Sequence, residues 1–102
     1  MNYNKLVRDK IPEIIEREGK IPIIRLAGTQ EYFTKLQGKL TEEVQEFLLS
    51  KNTEELADIL KVVYALAEHQ NIAMDKLEEM RKIKAEKRGS FTKKIILEVV
   101  NE

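Results

Sequence analysis

Between residues 29 and 69 the chain carries two runs of apolar side chains at i, i+3, i+4 spacing, broken only at Asn52-Thr53. That pattern leaves few folds open. Phe33, Leu36, Leu40, Val44, Phe47 and Leu48 share one face of a helix expected from Thr29, a candidate N-cap, to about Ser50. Leu56, Ile59, Leu60, Val63, Leu66 and Ala67 mark a second helix, from Thr53 to about His69. With so short a link the two are antiparallel neighbours. A third long helix is predicted from about Ala73 to Arg88, where Gly89 stops it after a last turn rich in Lys and Arg. A short helix starts near Asp9, with Pro12 in its first turn, and ends at Gly19. The stretch Ile21-Pro22-Ile23-Ile24-Arg25-Leu26 is extended in character. The tail from Lys94 to Val100 reads as a final packing segment or a strand that could pair with residues 21 to 26. The fold class is therefore mainly α, an antiparallel helical bundle, with a minor two-stranded element as an open option.

At 102 residues the chain fits one domain, 1–102, and it has no cysteine. Disulfide scaffolds, Cys-based zinc sites and thiol nucleophiles are excluded. With 6% aromatic residues the core is modest. The expectation is at least a dimer, a homodimer or a homotetramer. Met1 to Lys10 is already charged and no apolar run approaches the ~18 residues of a membrane span, so the chain is expected to be cytoplasmic, without a membrane partner. Eighteen Lys+Arg balance eighteen Asp+Glu, which argues against binding a nucleic-acid polymer.

The balance hides a segregation. Residues 42 to 79 hold ten acids against three bases (Lys51, Lys61, Lys76), whereas residues 80 to 94 hold seven bases against the single acid Glu86. Such blocks can neutralise one another in a fold. They also suit a metal site that receives a polyphosphate.

Projected at about 100° per residue, Glu43 falls beside Leu36 at the edge of the first apolar face, with Glu46 slightly further out and Glu42 beyond it. On the second helix Glu55 sits within the apolar arc, flanked by Val62 and Leu66, and Asp58 follows on the same side. Two adjacent helices thus each bring a carboxylate pair at i, i+3 to the border of their packing face. A single ExxE spacing is common on solvated helices; two facing pairs are not so easily dismissed. Like charges in a partly buried place repel and lose hydration unless a cation or proton compensates. Oxygen-only ligands favour a hard ion, Mg2+ or Mn2+, over zinc.

Glu42-Glu43-Val44-Gln45-Glu46 followed by Glu55-Leu56-Ala57-Asp58 resembles the EExxE then ExxD signature of the all-α nucleoside triphosphate pyrophosphohydrolases, the superfamily of MazG and phosphoribosyl-ATP pyrophosphohydrolase. Lys84-Ala85-Glu86-Lys87-Arg88 is similar to the basic KxxxR pattern on a later helix of MazG-like proteins. The opening Lys5-Leu6-Val7-Arg8-Asp9-Lys10-Ile11-Pro12 and the closing Arg88-Gly89-Ser90-Phe91 look like a small house-cleaning branch of that superfamily.

The resemblance implies an all-α NTP pyrophosphohydrolase fold and hydrolysis between the α and β phosphates, giving a nucleoside monophosphate and pyrophosphate. Glu43, Glu46, Glu55 and Asp58 would then hold Mg2+ or Mn2+, and Glu42 or a ligand such as Glu43 would act on the attacking water. Lys84 and Arg88, one helical turn apart, would bind the nucleoside triphosphate, with Lys5 and Arg8 as further candidates of the same kind and Phe91 as a stacking residue. Two alternatives stay in play. One is a phosphoribosyl-ATP pyrophosphohydrolase; the other is a non-enzymatic helical interaction module whose acidic face binds a basic partner.

Overall fold

The computed structural model describes residues 4–102; residues 1–3 of the expected domain lie outside the described residues. Four helices follow one another: α1 (Ile11–Arg17), α2 (Thr29–Ser50), α3 (Thr53–His69) and α4 (Met74–Arg88). The mainly α expectation is met.

Local chemistry explains most of the boundaries. Pro12 sits in the first turn of α1, where its missing N–H costs nothing. At the other end Gly19 adopts φ +80°, its N–H bonds Glu16 O at 3.0 Å and the Lys20 N–H bonds Ile15 O at 3.2 Å. This paired closure uses up two carbonyls that a helix end otherwise leaves bare. Asn71 does the same for α3 at φ 59°, with Asn71 N to Glu68 O at 3.0 Å and Ile72 N to Ala67 O at 2.8 Å. Gly89 ends α4. The first residue of α2 is Thr29 itself, with Gly28 as N-cap, so the expected Thr29 cap is corrected by one position. Gly28 is already extended there and no side-chain cap bond forms.

Only Lys51 and Asn52 separate α2 from α3, and Lys51 turns the chain in the left-handed region at φ 61°. The helices return antiparallel. At one end of the hairpin Phe33 stacks on His69 with ring centroids 4.8 Å apart, and Tyr32 meets the same ring edge-on at 5.9 Å. His69, at the end of α3, is thus packed against α2. Leu36, Val62 and Ala67 are the buried apolar side chains among the described residues, and Glu43 is buried with them. Helix α4 leans on α3 and makes no contact with α2.

The two-stranded element does not form: residues 21–26 and 94–100 belong to no strand. Pro22 removes a ladder donor from the first segment, and an isolated two-stranded ribbon is marginal in water. The first segment is anchored instead by Arg25, whose guanidinium donates two hydrogen bonds to Glu31 on α2, at 2.6 and 2.7 Å.

Leu36 fills the seam of the hairpin at 4% exposure. Its replacement by Ala is expected to destabilise the protein by roughly 2–5 kcal/mol, read from the midpoint of urea unfolding followed by circular dichroism.

Candidate metal centre

The second half of α2 and the first turns of α3 meet at the opposite end of the hairpin from His69. Glu43, Glu55 and Asp58 each place a carboxylate oxygen there, all within 4.8 Å of one another. Glu43 is 8% exposed, and Glu55 and Asp58 are half-buried. The helical phase that put Glu43 next to Leu36 and Glu55 next to Val62 is what buries them. Oε2 of Glu43 and Oε2 of Glu55 are buried with no hydrogen-bond partner. A buried carboxylate oxygen left in that condition is costly.

The electrostatics agree. Burial pushes the Glu43 carboxyl above its ordinary range, and the charges of Glu46, Asp58 and Glu42 add to the rise while Lys39 opposes it. Burial likewise raises Glu55, reinforced by Glu46, Asp58 and Glu43. Glu46 therefore belongs to the same field, although it is exposed and stands outside the close set of three oxygens. Three oxygen donors from two helices, two of them holding bare oxygens, fit a hard divalent ion. Coordination distances of about 2.0–2.6 Å put opposed ligand oxygens roughly 4–5 Å apart, the span this cluster offers.

Cations ring the acids. Arg8 pairs with Asp58, Lys5 with Glu42 at 3.2 Å, and Lys39 with Glu42 at 3.4 Å and Glu43 at 3.7 Å. For Glu42 burial acts upward, but Lys5 and Lys39 outweigh it and hold the carboxyl below its ordinary value. Glu42 is thus a neighbour of the acid triad turned toward lysines. Beside it a groove opens between the N-terminal segment and α2, lined by Lys5, Lys35, Lys39 and Gly38. A Cβ on Gly38 would meet nothing within 4 Å. Lys35 donates to Asn4 O at 3.0 Å and ties the segment down.

Lys35 and Lys39 are absent from the sequence-derived set. Their signal was there in part, since Lys39 lies three and four residues before Glu42 and Glu43. The expected polyphosphate ligands on α4 behave differently. Lys84 and Arg88 form no ion pair with the acid cluster among the described residues, and Phe91 is 98% exposed. Arg88 and Phe91 line a separate hollow with Lys93 and Lys94.

No family model matches this chain, and no solved structure matches it. An uncharacterized protein of Mycolicibacterium smegmatis is 50% identical over 42 residues, which are 41% of this chain and 43% of that protein. The chain thus spans less than half the length of that relative. No helix among the described residues is long and apolar enough to cross a membrane.

Folding raises the proton affinity of Glu43 and Glu55, so the folded chain binds more protons than the unfolded one between the ordinary glutamate range and the raised values. Stability from these two groups is present at low pH and is lost as pH rises through that window. Glu42, Glu31 and Glu78, held low, act in the opposite sense and only in more acid solution. In EDTA the melting temperature is expected to be higher at pH 5 than at pH 7, with Glu43→Gln shrinking the difference; calorimetry at both pH values checks it. At pH 7, Mn2+ at a hundred times its dissociation constant should stabilise the protein by about 2.7 kcal/mol. Glu55→Gln should remove most of that gain.

Proposed function

We propose that the protein is a cytoplasmic, divalent-metal-dependent nucleoside triphosphate pyrophosphohydrolase that cleaves between the α and β phosphates of non-canonical nucleotides. The convergence of Glu43, Glu55 and Asp58, with two partnerless buried oxygens, next to a lysine-lined groove carries this reading. It joins a cation site to a lysine-lined groove that runs along α2 beside it. The acidic signature that resembles the all-α pyrophosphohydrolases supports the choice of reaction.

Glu43, Glu55 and Asp58, with Glu46 at the rim, would hold Mg2+ or Mn2+. Such an ion neutralises phosphate oxygens and acidifies bound water. The chain's own part is positional. Lys5, Lys35 and Lys39 offer ammonium groups to a triphosphate lying in the groove, and Arg8 can exchange Asp58 for two phosphate oxygens at once. Glu42, held ionised by its lysines, is the acceptor for a proton from water, and Glu43 is the alternative. Charge placed before reaction, with no covalent step on the protein, is the usual means of phosphoryl transfer.

A panel of canonical and modified nucleoside triphosphates, assayed for pyrophosphate with Mg2+ or Mn2+, tests this. Turnover is expected for at least one, with Glu55→Gln and Asp58→Asn lowering kcat by 100-fold or more and Arg8→Ala raising KM. Because the groove lies against α2 and the N-terminal segment, Lys39→Ala should impair turnover more than Lys84→Ala. Intact substrates across the panel, or full turnover by Asp58→Asn, would point instead to a protein-binding module.

A further inference from the structure

Lys5 and Arg8 belong to one short stretch of chain but hold different acids. Lys5 lines the groove and pairs with Glu42, which lies outside the acid triad. Arg8, three residues on, pairs with Asp58, a member of the triad, through one guanidinium nitrogen on Oδ1. The Arg8 side chain is 60% exposed and that of Asp58 36%, so water weakens the pair. Oε2 of Glu43, on a residue only 8% exposed, and Oε2 of Glu55 have no hydrogen-bond partner among the described residues. Within the triad, Asp58 alone is tied to a cation from outside the hairpin.

The backbone that carries Arg8 is loosely held. From residue 4 to residue 10 every residue is exposed except the half-buried Leu6, and α1, which follows, packs on no other helix. The tie at the start of the segment, Lys35 Nζ to Asn4 O at 3.0 Å, involves none of the acids. Release of Arg8 leaves that tie intact.

Two ligands of opposite charge each disfavour the pair. A divalent ion draws Asp58 away, because two cations on one carboxylate repel. A polyphosphate draws Arg8 away, because it offers the planar guanidinium two oxygens where Oδ1 offers one. The two halves of the site are close. The triad oxygens of Asp58 and Glu43 lie within 4.8 Å of one another, and Lys39 on the groove wall stands 3.7 Å from Glu43 Oε1.

We propose that Arg8 is a positioning residue that couples the groove to the acid triad: it withholds Asp58 from the divalent ion until a polyphosphate takes the guanidinium, and then hands Asp58 over. This coupling rests on the metal and polyphosphate reading above and adds regulation to it. Either ligand alone has to break the ion pair, whereas the two together break it once. Each therefore strengthens the other through the chain itself, by the same factor in both directions.

Calorimetry tests this in two titrations. In the first, Mn2+ without phosphate is added to the wild-type chain, Arg8→Ala and Lys5→Ala. Both variants lose one positive charge beside the acids, but only Arg8→Ala frees Asp58, so it should bind Mn2+ about fivefold more tightly than Lys5→Ala does. In the second, inorganic tripolyphosphate in EDTA is added to the wild-type chain, Asp58→Asn, Arg8→Ala and the double variant. Asp58→Asn should tighten binding about fivefold when Arg8 is present and leave it unchanged in the Arg8→Ala background, a difference that removal of a negative charge alone does not produce. Equal Mn2+ affinities for Arg8→Ala and Lys5→Ala, or the same gain from Asp58→Asn in both backgrounds, would overturn the coupling and leave the metal reading standing. Failure of every variant to take up Mn2+, or to take up tripolyphosphate, would overturn that reading as well.

Discussion

Everything at the acidic end of the hairpin follows from placing Glu43 in the seam between two helices, where solvent cannot reach one of its oxygens. Had that carboxylate pointed outward, Glu55 and Asp58 would be ordinary surface acids. Inside, it shares a small volume with them, and desolvation and repulsion act in the same direction. Lys39, Lys5 and Arg8 relieve part of the strain but leave Oε2 of both glutamates bare. The arrangement is short of positive charge, which makes it a candidate functional site.

The helices and the acid triad were legible before any coordinates because both depend on periodicity, the strongest signal in a single chain. Phase alone put Glu43 beside Leu36 and Glu55 beside Val62; Leu36, Val62 and Glu43 are buried and Glu55 is half-buried, as that phase requires. The breaks at Gly19, Asn52 and Gly89 are local chemistry and lie at the expected places. What could not be read was the path of the segments without periodicity. Whether residues 5–8 or α4 approach the acids is a question of tertiary packing, on which i, i+4 spacing within α4 is silent. Lys84 and Arg88 have the better local pattern, yet Lys5 and Arg8 make the contacts. The pairing of 21–26 with 94–100 failed for a related reason: β-branched composition allows a strand but does not supply a partner.

The aromatic end shows how one hairpin can hold two unlike environments. Phe33 and Tyr32 enclose His69 where α3 finishes, far from the carboxylates, and the left-handed Asn71 then redirects the chain into α4. That end provides apolar contact where the other end supplies charge, and the leucine-lined middle separates them.

The link of Lys51 and Asn52 joins the two halves of the acid triad through the shortest path the chain allows. Adding one residue there would move α3 by about 1.5 Å along its axis and, if accommodated as helix, turn it by about 100°, taking Glu55 out of reach of Glu43. Loop length in this protein is therefore a chemical parameter rather than a spacer. Descendants of the sequence are free to lengthen the connection after α1, but an insertion at Lys51 would erase the charge cluster in a single event.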